Sequence, residues 1–212
     1  MAGTEQQRRA LLEHGDSDTE SLVRRRLTES IQCHQRTLSS DCVEQAATVA
    51  RHIVASIRNG GQVLFFGNGG SSMDAGHLAA ELMGRFYRER APLPAVSLSD
   101  ATAVVTAIGN DYAYEEIFAR QVRGLGRAGD VAIGLTTSGN SANVVRALSV
   151  ARERGLFAVA LTGATGGRVR EVVDICVQVP ADDTPRVQEV CMHLGHTICE
   201  IVEAELASAA VS

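Results

Sequence analysis

Residues 62–85 read QVLFFGNGGSSMDAGHLAAELMGR, and the fold of the chain is organised around this stretch. It opens on an apolar, β-prone run at residues 63–66 bounded by glycines, which predicts a buried strand. A glycine-rich turn at residues 67–70 lets backbone amides approach a ligand closely, because no Cβ stands in the way. Two serines follow as residue types that cap helices, so a helix is predicted from about Met73.

A strand, a Gly/Ser turn and a helix N-terminus in succession are typical of an anion site. Unpaired N–H groups and the helix dipole at that point both favour a phosphate. The turn lacks the Gly-Lys-Ser/Thr ending of a Walker A loop and does not match the G-x-G-x-x-G dinucleotide pattern. On this stretch alone, a plain tight turn therefore stays open beside the phosphate site.

His77 and Glu81 stand four residues apart on the predicted helix. Residues at this spacing share one helix face, so an imidazole and a carboxylate could converge on one metal or one substrate. The alternative is an ordinary surface pair. The mostly apolar residues around them weaken that alternative, since the helix has little solvated face to offer.

Length and composition indicate one domain with a sizeable core: the chain has 212 residues, of which 45% are hydrophobic. The formal charge of −5 argues against a general nucleic-acid binder. No apolar run reaches the length of a membrane span, and no signal peptide is expected at the N-terminus.

The five cysteines are an odd number without CxxC spacing. This usage is typical of free thiols in a reducing compartment, and it predicts a cytoplasmic protein. The cysteines are Cys33, Cys42, Cys176, Cys191 and Cys199.

The order of the predicted elements indicates an α/β fold. A polar tail is expected at residues 1–18, then two helices at about 19–38 and 41–58 before the first strand. Further strands are predicted at residues 92–98, 130–135, 157–161 and 174–179, and further helices at 102–108, 112–123, 142–154 and 184–206. Residues 109–111 are expected to break the helix before them. Five short strands that alternate with helices predict a parallel sheet covered on both sides.

A second hydroxyl-rich turn, Thr-Thr-Ser-Gly-Asn-Ser at residues 136–141, follows the third predicted strand. In open α/β sheets, ligands sit beyond the carboxyl ends of the strands, where both Gly/Ser/Thr turns fall. Together the turns predict a cradle of neutral hydroxyls for a phosphate, without an obligatory lysine or Mg²⁺.

The last helix carries four more possible ligands, Gln188, Glu189, His193 and His196. Spacing alone favours Glu189 and His193, which are four residues apart. Gln188 and His196 are about 12 Å apart along a helix, so they could reach one atom only if it lay between them. Ordinary packed or exposed side chains remain the alternative for each histidine.

These motifs, in this order and spacing, closely resemble the bacterial phosphoheptose isomerase family of the SIS (sugar isomerase) superfamily. The resemblance runs from about Leu22 to Leu206. It implies a flavodoxin-like three-layer sandwich, with residues 19–212 as one SIS domain that includes a helical pair at about 19–59. It also implies a homotetramer with active sites at subunit contacts. The motifs that carry it are GNGGSS at residues 67–72, GRF at 84–86, GND at 109–111, TSGNS at 137–141 and RVQE at 186–189, with His77, Glu81 and His196.

The resemblance also implies the site residues. Zinc would be held by His77, Glu81, Gln188 and His196, and a donor set of nitrogen and oxygen suits zinc. Thr136 departs from the family pattern, which usually has serine there, and its extra methyl bears on the fit of the phosphate. The residues implied to bind substrate are Asn68, Gly69, Gly70, Ser71, Ser72, Asn110, Asp111, Thr136, Thr137, Ser138, Ser141 and Gln188.

The implied reaction converts sedoheptulose 7-phosphate to a D-glycero-D-manno-heptose 7-phosphate-type aldose through an enediol or enediolate. Such a reaction needs a base and an acid, roles that fall to Glu81 and His196. Two binding-protein alternatives stay open. The first is the DnaA-associating tetrameric relative in the same superfamily, which typically lacks the acid and the histidine found here at Glu81 and His196. The second is a sugar-phosphate sensor, against which the retained metal ligands argue.

Overall fold

The computed structural model describes residues 16–207. Seven α-helices and five β-strands alternate along this part of the chain, with two short 3₁₀ segments at Tyr114–Glu116 and Gly167–Glu171. The helices are α1 (Asp16–Leu38), α2 (Cys42–Arg58), α3 (Gly70–Met83), α4 (Thr102–Asp111), α5 (Ile117–Leu125), α6 (Ala142–Glu153) and α7 (Thr184–Ala207). The strands are β1 (Val63–Gly67), β2 (Ala95–Ser97), β3 (Val131–Leu135), β4 (Phe157–Thr162) and β5 (Ile175–Gln178).

The strands form one parallel sheet in the order β2-β1-β3-β4-β5. This is the flavodoxin-like order, in which the chain reverses direction across the sheet between β1 and β3. The two central strands β1 and β3 are buried at every position, because helices cover both faces of a parallel sheet. The predicted α/β fold with a five-stranded parallel sheet is confirmed.

Alternate strand residues feed two separate cores. Val63, Phe65 and Ile133 point to the layer that contains α2, α3 and α7. Leu64 and Phe66 point to the opposite layer, which contains α5 and α6. The period of two along each strand therefore divides the apolar residues between the two helical layers of a three-layer sandwich.

Two predicted boundaries are wrong in ways that matter for the site. Helix α3 begins at Gly70, not near Met73, so both serines lie in its first turn instead of capping it. Helix α4 continues through residues 109–111, which form its last turn and do not break it. The other strands and helices lie within three residues of the predicted bounds, except that α5 begins at Ile117, five residues after its predicted start and directly after the first 3₁₀ segment.

Helix α1 presents apolar side chains to solvent. Its exposed large hydrophobic residues are Leu22, Val23, Leu27, Ile31 and Leu38. The helix begins at Asp16, inside the predicted tail, and residues 1–15 of that tail lie outside the described residues. Among residues 16–207, no helix is both long enough and apolar enough to cross a membrane.

Candidate active site

The two Gly/Ser/Thr turns lie side by side because β1 and β3 are neighbours in the sheet. Their last residues, Gly67 and Leu135, are paired in register. Gly69 has φ of +57°, a backbone conformation that favours glycine, and it turns the chain from β1 directly into α3. The carboxyl edge of the sheet thus carries the start of α3 beside the loop that precedes α6.

The predicted hydroxyls of the phosphate cradle lie on these two turns. Ser71 is buried, and the Ser72 hydroxyl donates a 2.6 Å hydrogen bond to the carbonyl oxygen of Gly69. On the second turn, Thr136 and Ser141 share a hydrogen bond of 3.1 Å between their hydroxyls. The exposed Ser138 accepts a hydrogen bond from the backbone N–H of Asn140.

Asn68 is held by a network that the sequence patterns did not indicate. Its amide exchanges two hydrogen bonds of 2.8 Å with the amide of Asn143, which is buried at the start of α6. The Tyr114 hydroxyl donates a further bond of 3.0 Å to the Asn68 side-chain oxygen. The reciprocal amide pair fixes the orientation of Asn68 at the exit of β1.

His77, Glu81 and His196 form a cluster in which one ligand atom of each lies within 4.8 Å of the others. His77 and Glu81 come from α3, and His196 comes from α7. The Nε2 atom of His77 is 3.0 Å from the Glu81 carboxylate and 3.0 Å from Nε2 of His196. Two imidazole nitrogens this close must either share a proton or face one cation, since two lone pairs would repel.

Gly195 lets α3 and α7 approach closely at this cluster. A Cβ at Gly195 would lie 2.7 Å and 2.8 Å from the two terminal carbons of Leu78, inside the usual contact distance of about 3.5–4.0 Å. Leu78 and Gly195 immediately follow and precede the two histidines in sequence. A helix-interior glycine is unfavourable by about 1 kcal/mol relative to alanine, and here it permits the contact that brings the histidines together.

The chemistry of the donor set fits zinc. Two imidazole nitrogens and a carboxylate oxygen are common zinc ligands, and they leave a position free for a further ligand. Two zinc–nitrogen bonds in tetrahedral geometry separate the nitrogens by about 3.3 Å, close to the separation of the histidine nitrogens. Small movements of the side chains would therefore suffice to admit an ion.

Burial shifts the pKa values of two groups beside the cluster. It raises the pKa of the Cys199 thiol on α7 to about 12, with a smaller contribution from the charge of Glu81. Burial also raises the pKa of Asp74, one turn before His77, although the His77 imidazole opposes that effect. Cys199 is therefore a neutral thiol at neutral pH, and it donates to the carbonyl oxygen of Leu78 at 3.9 Å.

Comparison with known proteins identifies the family of the chain. Residues 28–163 match the family model of the SIS domain. The phosphoheptose isomerase of Rhodospirillum rubrum is 51% identical over 168 residues, which span 79% of this chain and 89% of that protein. The chain belongs to the phosphoheptose isomerase family. It is thus an aldose–ketose isomerase, as its sequence resemblance implied.

Two solved structures of the family share the whole architecture. Phosphoheptose isomerase GmhA from Neisseria gonorrhoeae superposes with a TM-score of 0.83 at 40% identity, over 88% of this chain and 99% of that one. A phosphoheptose isomerase from Francisella tularensis gives a TM-score of 0.84 at 34% identity, over 88% and 98% of the two chains. The two structures therefore share the fold over most of this chain and nearly all of their own.

Gln188 lies at the first turn of α3. A Cβ on Gly70 would overlap its side-chain amide, so a larger residue at that position would displace the amide. Gln188 is half-buried and lies on α7, the helix that also supplies His196. Its amide is thus next to the glycine turn, and its role as a zinc or substrate ligand stays a prediction.

Glu189 and His193, the pair that spacing alone favoured, make contacts away from the histidine cluster. The Glu189 carboxylate accepts a 2.6 Å hydrogen bond from Arg186, and the His193 ring packs edge-on against His34 of α1. Asn110 and Asp111 are exposed at the end of α4, where the Asn110 amide donates to the Asp111 carboxylate at 2.8 Å. Within residues 16–207, the contacts of these four side chains do not include the histidine cluster.

Proposed function

We propose that this chain interconverts sedoheptulose 7-phosphate and a D-glycero-D-manno-heptose 7-phosphate-type aldose, with Glu81 as base and His196 as acid. The observation that carries the proposal is the His77–Glu81–His196 cluster, in which His77 and Glu81 lie on the helix that starts at the Gly/Ser turn. An anion site and a base on one helix, with the acid on a neighbouring helix, suit a substrate that has a phosphate at one end and a carbonyl at the other.

Glu81 would begin the reaction by removing a proton from C1 of the ketose. The electron pair of that C–H bond forms the C1=C2 double bond, and the carbonyl electrons move to O2. His196 protonates O2, which gives the enediol. In the second half, Glu81 gives a proton to C2 and His196 takes the proton of the O1 hydroxyl, so that C1 becomes the aldehyde and both residues return to their starting states. The position of Glu81, half-buried and in contact with His77, favours these transfers between neighbouring groups.

His77, Glu81, Gln188 and His196 would hold zinc. Zinc would supply a Lewis acid that polarises the carbonyl group and stabilises negative charge on oxygen. A carboxylate that binds a dication is a weaker base, so we expect the ion to be held weakly and Glu81 to remain free for proton transfer. A rigid four-ligand site without room for substrate oxygen would contradict that expectation.

The two hydroxyl turns would bind the phosphate, and the ends of β1 and α4 would line the sugar. The first turn offers N–H groups at the N-terminus of α3, which favours an anion without a lysine. The proposed phosphate ligands are Ser71, Ser72, Thr136, Ser138 and Ser141, the proposed sugar ligands are Asn68, Gly69, Gly70, Asn110 and Asp111, and Thr137 and Gln188 are further proposed substrate ligands.

We further propose a homotetramer that works in the cytoplasm. The exposed apolar residues of α1 support self-association, because burial of such side chains is favourable and a second copy offers the same face. Asn110 and Asp111 support active sites at subunit contacts, since their exposed side chains are open to a neighbouring chain. All five cysteines are free thiols, which supports a reducing compartment.

The test is incubation of the purified protein with sedoheptulose 7-phosphate, with and without zinc, and detection of an aldoheptose phosphate by NMR. We expect product from the wild type and none from Glu81→Gln or His196→Gln, because each variant lacks a proton-transfer group. Absence of product at every zinc concentration, from folded protein, would refute the proposal. DnaA association would then be measured as the property of the binding-protein alternative.

A further inference from the structure

A buried carboxylate on α7 organises the loop that follows α3. Glu203 accepts hydrogen bonds from the backbone N–H groups of Phe86, Tyr87 and Arg88, at 2.9, 2.7 and 2.9 Å. It also accepts a bond of 3.1 Å from Nε of Arg90. Glu203 lies seven residues after His196, about two turns along the same helix.

Arg90 ties the same loop to the end of α3. Its guanidinium donates to the carbonyl oxygens of Leu82 and Gly84 at 2.8 and 3.1 Å, and to that of Ala91 at 3.0 Å. A further bond of 2.9 Å reaches the carbonyl oxygen of Glu81, the proposed base. The arginine thus satisfies carbonyl groups that the last turn of a helix leaves without intrahelical partners.

The loop at residues 84–91, which Glu203 and Arg90 hold, also contacts the proposed acid. The Phe86 ring stacks against the His196 imidazole, with a centroid distance of 5.7 Å and an interplanar angle of 28°. Glu203 holds the backbone of Phe86, and Arg90 holds the backbone of Glu81. One ion pair is therefore connected to both members of the proton-transfer pair.

Stability alone does not explain why a charged pair is buried here. The Glu203 and Arg90 side chains are 2% and 3% exposed, and removing two charges from water costs several kcal/mol per ion. Apolar residues of similar volume are often as stabilising as a buried ion pair. What they cannot do is form these eight hydrogen bonds, one within the pair, two to the last turn of α3 and five to the loop that follows it.

Glu203 is ionised at neutral pH. Burial by itself would raise the pKa of its carboxyl, but three backbone hydrogen bonds and the positive charge of Arg90 outweigh it and lower the pKa. An ionised carboxylate accepts all of these bonds and donates none, so the loop has one favourable arrangement.

We propose that Glu203 and Arg90 are positioning residues for the isomerase reaction: they hold the loop at residues 84–91 so that Phe86 orients His196 while the end of α3 orients Glu81. This inference rests on the proposed function of Glu81 and His196. Neither Glu203 nor Arg90 takes part in proton transfer.

The test is Glu203→Gln, compared with a matched control at the amino ends of the strands, away from the site. Glutamine keeps the size of the side chain but places an NH₂ donor against groups that are themselves donors. Asp130 is the control, because it is 2% exposed and accepts hydrogen bonds from Gln62 and Arg127 just before β3. Asp130→Asn therefore disturbs a similar buried carboxylate without touching the loop.

We expect Glu203→Gln to lower kcat on the order of tenfold to a hundredfold, since small displacements of reacting groups have effects of this size. Its KM for sedoheptulose 7-phosphate should stay near the wild-type value, because the phosphate turns lie at the other end of α3. Asp130→Asn should keep the wild-type kcat at temperatures where both variants are folded by circular dichroism.

The second measurement does not depend on turnover. In the metal-free protein, long-range ¹H–¹⁵N imidazole spectra report the environment and order of His196, whose signals are assigned with His196→Gln. We expect Glu203→Gln to shift or split those signals and Asp130→Asn to leave them unchanged. If the wild type does not isomerise the sugar phosphate, the proposed function fails, and these spectra still decide the positioning role.

Phe86→Leu tests the same contact with His196 if Glu203→Gln does not fold. It removes the ring from His196 but leaves the ion pair in place, and we expect the same shift of the His196 signals with a smaller loss of kcat. Wild-type His196 signals in either folded variant would overturn the proposal. Equal losses of kcat in Glu203→Gln and Asp130→Asn would overturn it as well.

Discussion

Substitution of Gly195 by alanine should separate the two histidines of the cluster. The new Cβ would lie 2.7 Å from one terminal carbon of Leu78 and 2.8 Å from the other. Carbon atoms in contact are about 3.5–4.0 Å apart, so about 1 Å of space is missing. Leu78 is 1% exposed and cannot turn into solvent, so the helices α3 and α7 must move apart.

The expected effect of Gly195→Ala on stability is small, because a gain in helix propensity partly offsets the cost of overpacking. Alanine in a helix interior gains about 1 kcal/mol over glycine, and overpacking of a filled core costs about 1–3 kcal/mol. The free energy of unfolding should therefore fall by about 0–2 kcal/mol. The effect on zinc is larger, because the Nε2 atoms, now 3.0 Å apart, would move to a separation of about 4 Å. Zinc affinity should fall on the order of tenfold to a hundredfold, the usual range for disturbed support of metal ligands.

The assay is zinc competition with a chromogenic chelator, together with urea unfolding. Gly124→Ala is the matched control, because Gly124 also lies in a helix and a Cβ added there would meet nothing within 4 Å. We expect the control to gain up to about 1 kcal/mol and to keep wild-type zinc affinity. Adding Leu78→Val to Gly195→Ala should restore part of the zinc affinity, because the shorter side chain relieves the clash with the new Cβ. Wild-type zinc affinity in Gly195→Ala, with the same gain in stability as the control, would refute the reasoning.

Three further predictions follow from single contacts. Gly70→Ala should lower zinc affinity or turnover, because its Cβ displaces the Gln188 amide. Gly109→Ala is the control, since the added Cβ would lie 3.8 Å from its nearest neighbour. It should change neither property when zinc affinity is measured with the chelator and turnover by NMR. Asn143→Ala should raise KM for the sugar phosphate by freeing the amide of Asn68, and should cost about 1–3 kcal/mol in urea unfolding, since a buried hydrogen-bond network is broken; an unchanged KM would contradict the role of the network. Glu203 has a pKa below its ordinary value of 4.5, so its ion pair stabilises the fold above that pH and is lost as the pH falls through the lowered pKa. The stability difference between wild type and Glu203→Gln should therefore shrink in urea titrations below that pH, and a difference that grows on acidification would count against it.

Much of the sheet could be predicted because its strands are apolar runs between turns. The boundaries that failed show where local signals lose to backbone geometry. Serine is a good cap, but Gly69 turns the chain so sharply that α3 starts one residue later, before either serine. Residues 109–111 contain typical breaker types, yet α4 keeps its backbone hydrogen bonds through them and ends at Asp111.

Spacing predicted the site only where its residues are near in sequence, and His196 was added to it by the family resemblance. The spacing of His77 and Glu81 is visible along one helix, whereas His196 reaches them through the packing of α7 on α3. Spacing within α7 favoured Glu189 and His193, because it carries no information about which helix face meets α3 and which meets α1.

The supporting contacts left no pattern in the sequence. Arg90 and Glu203 are 113 residues apart, and Asn68 and Asn143 are 75 apart. Each pair is brought together by the order of strands and helices, not by local spacing. A lone glutamate on the apolar face of the last helix was the one visible signal, since a buried carboxylate needs partners.

The most direct test of the account follows the proton that Glu81 is proposed to move. Purified protein with zinc would convert sedoheptulose 7-phosphate in deuterium oxide, and NMR would measure deuterium at C2 of the aldose product. With the wild type, the account predicts deuterium at C2, because the Glu81 carboxyl group exchanges its proton with solvent before C2 is protonated. With Glu81→Gln it predicts no product, because the base is missing. Product that carries only protium at C2, and that still forms with Glu81→Gln, would contradict it.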